Sequence, residues 1–239
     1  MKFKKSLFFP LLFLYSFNIQ AQTADEVILK YIAFTGGEQQ WKTIHTIVTS
    51  GIYNYGGIEF PFTSYSKAPN LYKFVVPFNG KYYAQAFNGK TGWKIDAFKN
   101  QTERTLLIGK PALAMANEAD VELESPFINY QKKGYKATLE GKDTLDGLVC
   151  FKINFTRING EAETYLFNGE DFSVVKKTAL SKNEEMENKM LDTYYSDYHE
   201  INGVKIPYKL TSKSDEQTIL TITIKKIEMN VPIPDTEFQ

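Results

Sequence analysis

Cysteine, histidine and arginine are nearly missing from this sequence, which holds one, two and two of them. A single cysteine closes no intrachain disulfide, and with two histidines it cannot complete the usual structural zinc site, so disulfide scaffolds and zinc fingers are excluded. No apolar run reaches the roughly 20 residues that a membrane-spanning helix needs. Neither G-x-S-x-G nor H-E-x-x-H occurs, so the familiar hydrolase and metalloprotease signatures are absent. Charge of one sign is also lacking, with 28 Lys and Arg against 28 Asp and Glu.

Apolar residues make up 43% and aromatics 15% of the 239 residues, enough to bury a full core and too many for a disordered tail. The N-terminus reads as an export signal: MKFKK carries three lysines, SLFFPLLFLYSF is apolar, and IQAQ places cleavage near Ala21. Residues 1–21 are therefore set apart from one domain over 22–239, expected free in the periplasm without an integral membrane span. Removing the three signal lysines leaves a net charge of −3. That balance offers no basic field for nucleic acid.

Thr23 and Glu26 form a capping box ahead of Val27, Ile28, Tyr31 and Ile32 at helical spacing, and Gly36-Gly37 ends that helix. A short second turn runs through Trp41. From His45 the period changes to two. Val149, Phe151, Ile153 and Phe155 alternate with Cys150, Lys152, Asn154 and Thr156, and Leu220, Ile222 and Ile224 alternate with Thr221, Thr223 and Lys225. Turn signals at NYGG, FNG, LDG and ING punctuate about eleven strands joined by hairpins. Between Lys110 and Lys133 the pattern breaks, with Pro111 and the Ser125-Pro126 pair opening two short helices.

The fold class is thus mainly β: one incomplete, half-open antiparallel barrel of about eleven strands, with an N-terminal helix and a short helical lid. So few helices cannot cover so large a sheet, which must curl, and curled sheets above eight strands tend to enclose ligand space. Alternation alone is equally consistent with a dry core. His45 and His199 lie beside strands in no evident catalytic constellation, and the acidic pairs Glu161/Glu163 and Asp120/Glu122 read as solvated surface. Cys150, out of phase with its apolar neighbours, reads as a small buried residue. No catalytic residue, metal ligand or cofactor site is assigned.

Several segments resemble a known family. YIAFTGGEQQWKTIHTIVTSG, NGKTGWKIDAF, ESPFINYQKKGYKATLEGKDTLDGLVCFKINFT, DTYYSDYHEINGVKIPYKL and ITIKKIEMNVPIPDTEFQ are similar, in order, to the periplasmic outer-membrane lipoprotein carrier and receptor superfamily (LolA/LolB-like), especially the group called outer-membrane lipoprotein-sorting proteins. The resemblance implies an incomplete barrel of about eleven strands whose helices close a hydrophobic cavity, and non-catalytic binding or carrying of lipid or lipoprotein acyl chains by a monomer. The arginine that couples strand to lid in the well-known carrier has no counterpart, since Arg104 and Arg157 lie away from the first strands. An alternative is an envelope sensor or interaction domain that reads a lipidated partner protein; a secreted hydrolase is a third. The expected cavity residues are Ile47, Phe74, Val76, Trp93, Ile95, Phe151, Ile153, Phe155, Tyr165, Phe167, Leu220, Ile222 and Ile224. Leu113, Met115, Val121 and Phe127 are expected to be lid residues that fill the cavity when no ligand is bound.

Overall fold

A computed structural model describes residues 22–121, 125–181, 186 and 189–239, without the side chains of Asp120 and Val121. Residues 1–21, expected to be an export signal, most of the charged stretch after Ser181, Glu122 and the Asp120 and Val121 side chains lie outside the described residues. Helix α1 (Ala24–Phe34) opens on the expected capping box: Thr23 N donates to Glu26 Oε2 at 2.9 Å and Glu26 N donates to Thr23 Oγ1 at 3.2 Å. It ends at Gly36, whose φ of 109° suits glycine and where a Cβ would meet Gly203 O at 2.1 Å. That contact fixes the helix exit on a distant hairpin. Helix α2 (Glu38–Trp41) follows.

Thirteen strands, not about eleven, form one antiparallel sheet among the described residues: β1 (Thr46–Tyr55), β2 (Ile58–Lys67), β3 (Leu71–Phe78), β4 (Lys81–Asn88), β5 (Gly92–Asp96), β6 (Gln101–Leu106), β7 (Lys136–Leu145), β8 (Leu148–Thr156), β9 (Ala162–Asn168), β10 (Val174–Leu180), β11 (Met190–Ile201), β12 (Val204–Ser214) and β13 (Gln217–Met229). Strand β6, QTERTL, is exposed along its whole length and lacks the apolar alternation that marks a half-buried strand. The sheet runs β6 to β1, then β13 back to β7, so β1 and β13 pair at its centre. It does not close. Its two edges, β6 and β7, are consecutive in sequence, so their connection must travel from one edge of the curved sheet to the other. That connection carries α3 (Lys110–Val121), which packs on the concave face.

The second helix expected after Ser125 is replaced by turns over 126–134. Asn129 adopts a φ of 53°, which a right-handed helix excludes. The turn lets Phe127, Ile128 and Tyr130 all bury, in two different clusters.

The concave face has two dry ends. Against β7 to β10, α1 and the turn after Ser125 enclose Phe127, Phe151, Ile153, Phe155, Tyr165 and Phe167. Against β3 and β4, α3 lays Met115 and Ala119 on Tyr72 and Phe87. On the convex face the small residues Ala84 and Ala86 cluster with Trp93 and Ile95, and the C-terminal 3-10 turn Asp235–Phe238 lies against β3 and β4. Trp93 Nε1 donates to Phe238 O at 3.1 Å, and Lys67 and Lys73 pair with Asp235 at 2.7 Å and Glu237 at 2.5 Å. Cys150 is fully buried, and strand alternation sets it opposite Phe151.

Candidate functional site

Between the two dry ends the concave floor carries an unbroken apolar row. Tyr195 of β11 pairs in register with Leu210 of β12, Leu210 with Ile222 of β13, Ile222 with Tyr53 of β1, and Tyr53 with Phe60 of β2. Directly paired residues share a face, so these side chains stand side by side. Phe60 then meets Phe78 of β3, ring centroids 4.8 Å apart. At the usual inter-strand spacing the row is about 24 Å long.

A second line lies beside the first. Ile224 pairs with Gly51, and Gly51 with Phe62, whose ring stacks on Phe74 at 5.6 Å; Phe74 also meets Tyr53 at 5.9 Å. Gly51 is constrained by closeness: a Cβ there would meet Thr223 O at 2.2 Å and Phe62 Cε1 at 2.9 Å. Most of these floor residues are half-buried. Tyr53, Phe60, Phe62, Leu210, Ile222 and Ile224 belong to none of the buried clusters that the helices cover. The result is an open trough with aromatic and aliphatic lining. Burial and the neighbouring Tyr55 hydroxyl push the Tyr53 phenol up. Two other hollows lie elsewhere, a cleft of about 220 Å³ outside α1 and a saddle of about 470 Å³ at Pro61, Pro77 and Tyr82.

The expected cavity residues separate into four groups. Phe74, Val76, Leu220, Ile222 and Ile224 face the trough or its border. Phe151, Ile153, Phe155, Tyr165 and Phe167 are locked in the packed cluster beneath α1. Ile47 is covered by Trp41 and Ile44. Trp93 and Ile95 face the opposite side: Ile95 pairs with Ala84 and Trp93 with Ala86, and both side chains pack on the convex face. Their alternation marked a buried face, but the C-terminal tail does the burying there. Of the lid residues, Met115 packs on Tyr72 and Phe87, Leu113 is 43% exposed, and Phe127 is a core residue among Tyr31, Phe155, Tyr165 and Phe167.

Sequence reasoning missed Tyr53, Phe60, Phe62, Leu210 and Tyr195. In β1 the inward phase reads Ile47, Thr49, Gly51, Tyr53, Tyr55, and threonine and glycine hide the alternation; register with β13 is what reveals it. It also misread one acid. Glu161 is exposed, but Glu163 is 4% exposed, accepting from the Tyr165 hydroxyl at 2.8 Å and from Arg157 Nη2 at 3.4 Å. Lys177 Nζ lies 4.0 Å from its other oxygen. Burial and the Glu163 charge push the Tyr165 hydroxyl well up, and burial pushes Tyr31 up to about 12.

His199 is exposed and bonded to Asp197 at 2.8 Å, and His45 is exposed. The S-x-x-K spacing occurs twice, at Ser64 to Lys67 and Ser173 to Lys176, but each lysine pairs with an aspartate, Asp235 and Asp192. Among the described residues no group of three or more His, Cys, Asp or Glu could hold a metal ion.

No protein-family model matches the sequence, and no curated protein does. Solved structures do. A LolA superfamily protein from Nitrosomonas europaea superposes with a TM-score of 0.58 at 13% identity, covering 92% of this chain and 98% of that one. The chain has the LolA-like fold. A domain from Vibrio parahaemolyticus assigned to outer-membrane lipoprotein sorting gives 0.58 at 8% identity over 90% and 95%. A DUF1329 family protein from Desulfovibrio piger gives 0.60 at 14% over 90% and 97%. The family resemblance read from the sequence and the open, mainly β architecture agree with these superpositions.

Proposed function

We propose that this LolA-like protein is a non-catalytic periplasmic binding protein that takes an acyl chain of a lipid or lipoprotein into the trough and carries it. The observation that bears most weight is the apolar row across six strands, whose middle, Leu210, Ile222, Tyr53 and Phe60, belongs to none of the helix-covered clusters among the described residues. Two dry ends flank it, so the uncovered middle is not a general failure to pack. The export-type N-terminus and the LolA-like fold support the periplasmic setting. Among the described residues no helix is long and apolar enough to cross a membrane.

Magnitudes favour exchange over permanent sequestration. Full burial of a chain of about fourteen carbons gains on the order of 10 kcal/mol at ~0.8 kcal/mol per methylene. An open trough removes only part of each methylene from water, which puts the gain nearer the ~8 kcal/mol of a micromolar complex. Such a ligand leaves readily.

The alternative, a domain that docks a protein by strand addition, draws on the unpaired edges β6 and β7. Their composition opposes it: β6 is short with Glu103 and Arg104, and β7 is bulged between Leu139 and Gly141 and carries Lys136, Lys142 and Asp143. Native mass spectrometry of the protein purified without detergent tests the proposal. Co-purified acyl lipid in one-to-one stoichiometry is expected; lipid-free protein that also fails to take up added palmitate would refute it.

A further inference from the structure

Lys177 stands where the packed end of the concave face gives way to the trough. On one side its strand partner is Tyr165, a member of the packed cluster. On the other it pairs with Thr193, and its positive charge acts on the hydroxyl of Tyr195, the first residue of the apolar row. Its side chain is 27% exposed and lies on the concave face, in register with Tyr165 and Thr193.

The charges around it are unevenly matched. Glu163 is shared between Arg157 and Lys177 and also accepts from Tyr165, so one buried carboxylate serves two cations. Arg157, 5% exposed, keeps Nε and Nη1 without hydrogen-bond partners. Lys177 is pushed up first by Tyr195 and then by Glu163, and Glu118 of α3 adds a smaller negative field at both Lys177 and Tyr195. A cation that lies 4.0 Å from its one paired carboxylate and shares that carboxylate with an arginine is suited to accept an anion from a ligand. Thr193 and Ser212, whose hydroxyls are 2.9 Å apart, continue the polar corner along the same row of the sheet.

We infer that Lys177 and Tyr195 seat the anionic head group, a carboxylate or a phosphate monoester, of a single-chain amphiphile whose tail lies along Leu210, Ile222, Tyr53 and Phe60. This rests on the trough being the acyl site. The head group gives Lys177 a counter-charge that it does not share with Arg157, and the tail covers the half-buried floor. A ligand with an uncharged head gains the floor and not the corner.

The test titrates the full mature chain, and its Lys177→Met variant, with palmitate, hexadecyl phosphate and methyl palmitate below their micelle concentrations. Wild type should bind one or both anions about tenfold or more tightly than methyl palmitate, the size of one charge-assisted hydrogen bond. The Lys177→Met variant should lose that preference and keep its affinity for methyl palmitate, and Lys177→Arg should restore it. The palmitate and phosphate arms separate a free fatty acid from a phosphate-headed lipid. Equal wild-type affinity for charged and neutral probes, or a preference that survives Lys177→Met, overturns the head-group site while leaving the trough intact. Failure of all three probes to bind overturns both. Should Lys177→Met not fold by circular dichroism, Lys177→Gln decides on the same criteria.

Discussion

The two halves of the concave face are made of the same material and treated differently. Beneath α1, rings from β8 and β9 surround Phe127, two edge to face and one tilted, with centroids 4.8 to 5.3 Å away, and all four rings are buried. Over β12, β13, β1 and β2, rings and branched chains of the same kind stand in register and half-exposed. Strand chemistry does not set the difference; the route of the helices does. Helix α1 is fastened at its exit by Gly36 against Gly203 and by Lys205 N donating to Thr35 O at 3.1 Å, whereas α3 packs mainly on β3, β4 and β5 and touches the far side through Asn117 Nδ2, which donates to Glu161 Oε2 at 3.1 Å. What remains between them is available to a guest.

The sharpest way to break that comparison is to truncate one large side chain in each half. Phe127→Ala, in the dry half, should cost about 3–5 kcal/mol in urea unfolding, and a cost below 1 kcal/mol would mean that this half is loosely packed as well. Alkali should come next. Tyr31 and Tyr130 are pushed up to about 12 from their ordinary 10, chiefly by burial, with Asp25 adding to Tyr130. The unfolded chain therefore ionises first: this stability is complete below pH 10 and drains away between pH 10 and 12. Tyrosinate absorbance should rise together with loss of structure, and a smooth rise in the folded protein would contradict the burial.

Ile222→Ala, in the trough, should cost about 1 kcal/mol or less in unfolding while weakening palmitate binding several-fold. A large stability loss with unchanged binding would invert the roles assigned to the two halves. Smallest of all, Lys42→Ala should shift stability by about 0.5 kcal/mol at most, because the side chains of Lys42 and its partner Glu38 are both exposed and the pair is screened.

Much of the fold could be read from the sequence because it is written locally. The Thr23 and Glu26 cap and the Asn79-Gly80, Asp146-Gly147 and Asn202-Gly203 turns, each with positive φ at both positions, need no distant partner. Strand β6 was hidden because an exposed edge carries no alternation. The site was only partly legible. Periodicity identified the buried phase of β5 and β8 but not what buries it: for Trp93 it is the C-terminal turn on the convex side, for Ile153 the region beneath α1. Leu220, Ile222 and Ile224 share the same pattern and lie uncovered. Lys177 and Glu163 were invisible as a pair because only the register of β9 with β10 brings them together.

The most direct measurement is photolabelling with a palmitate analogue bearing a diazirine along its chain, followed by peptide mapping. Saturable labels, competed by palmitate, should fall on β1, β2 and β13 around Tyr53, Phe60 and Ile222. Labels concentrated on β8 and β9 around Ile153, Phe155 and Phe167, or labelling that does not saturate, would contradict the account.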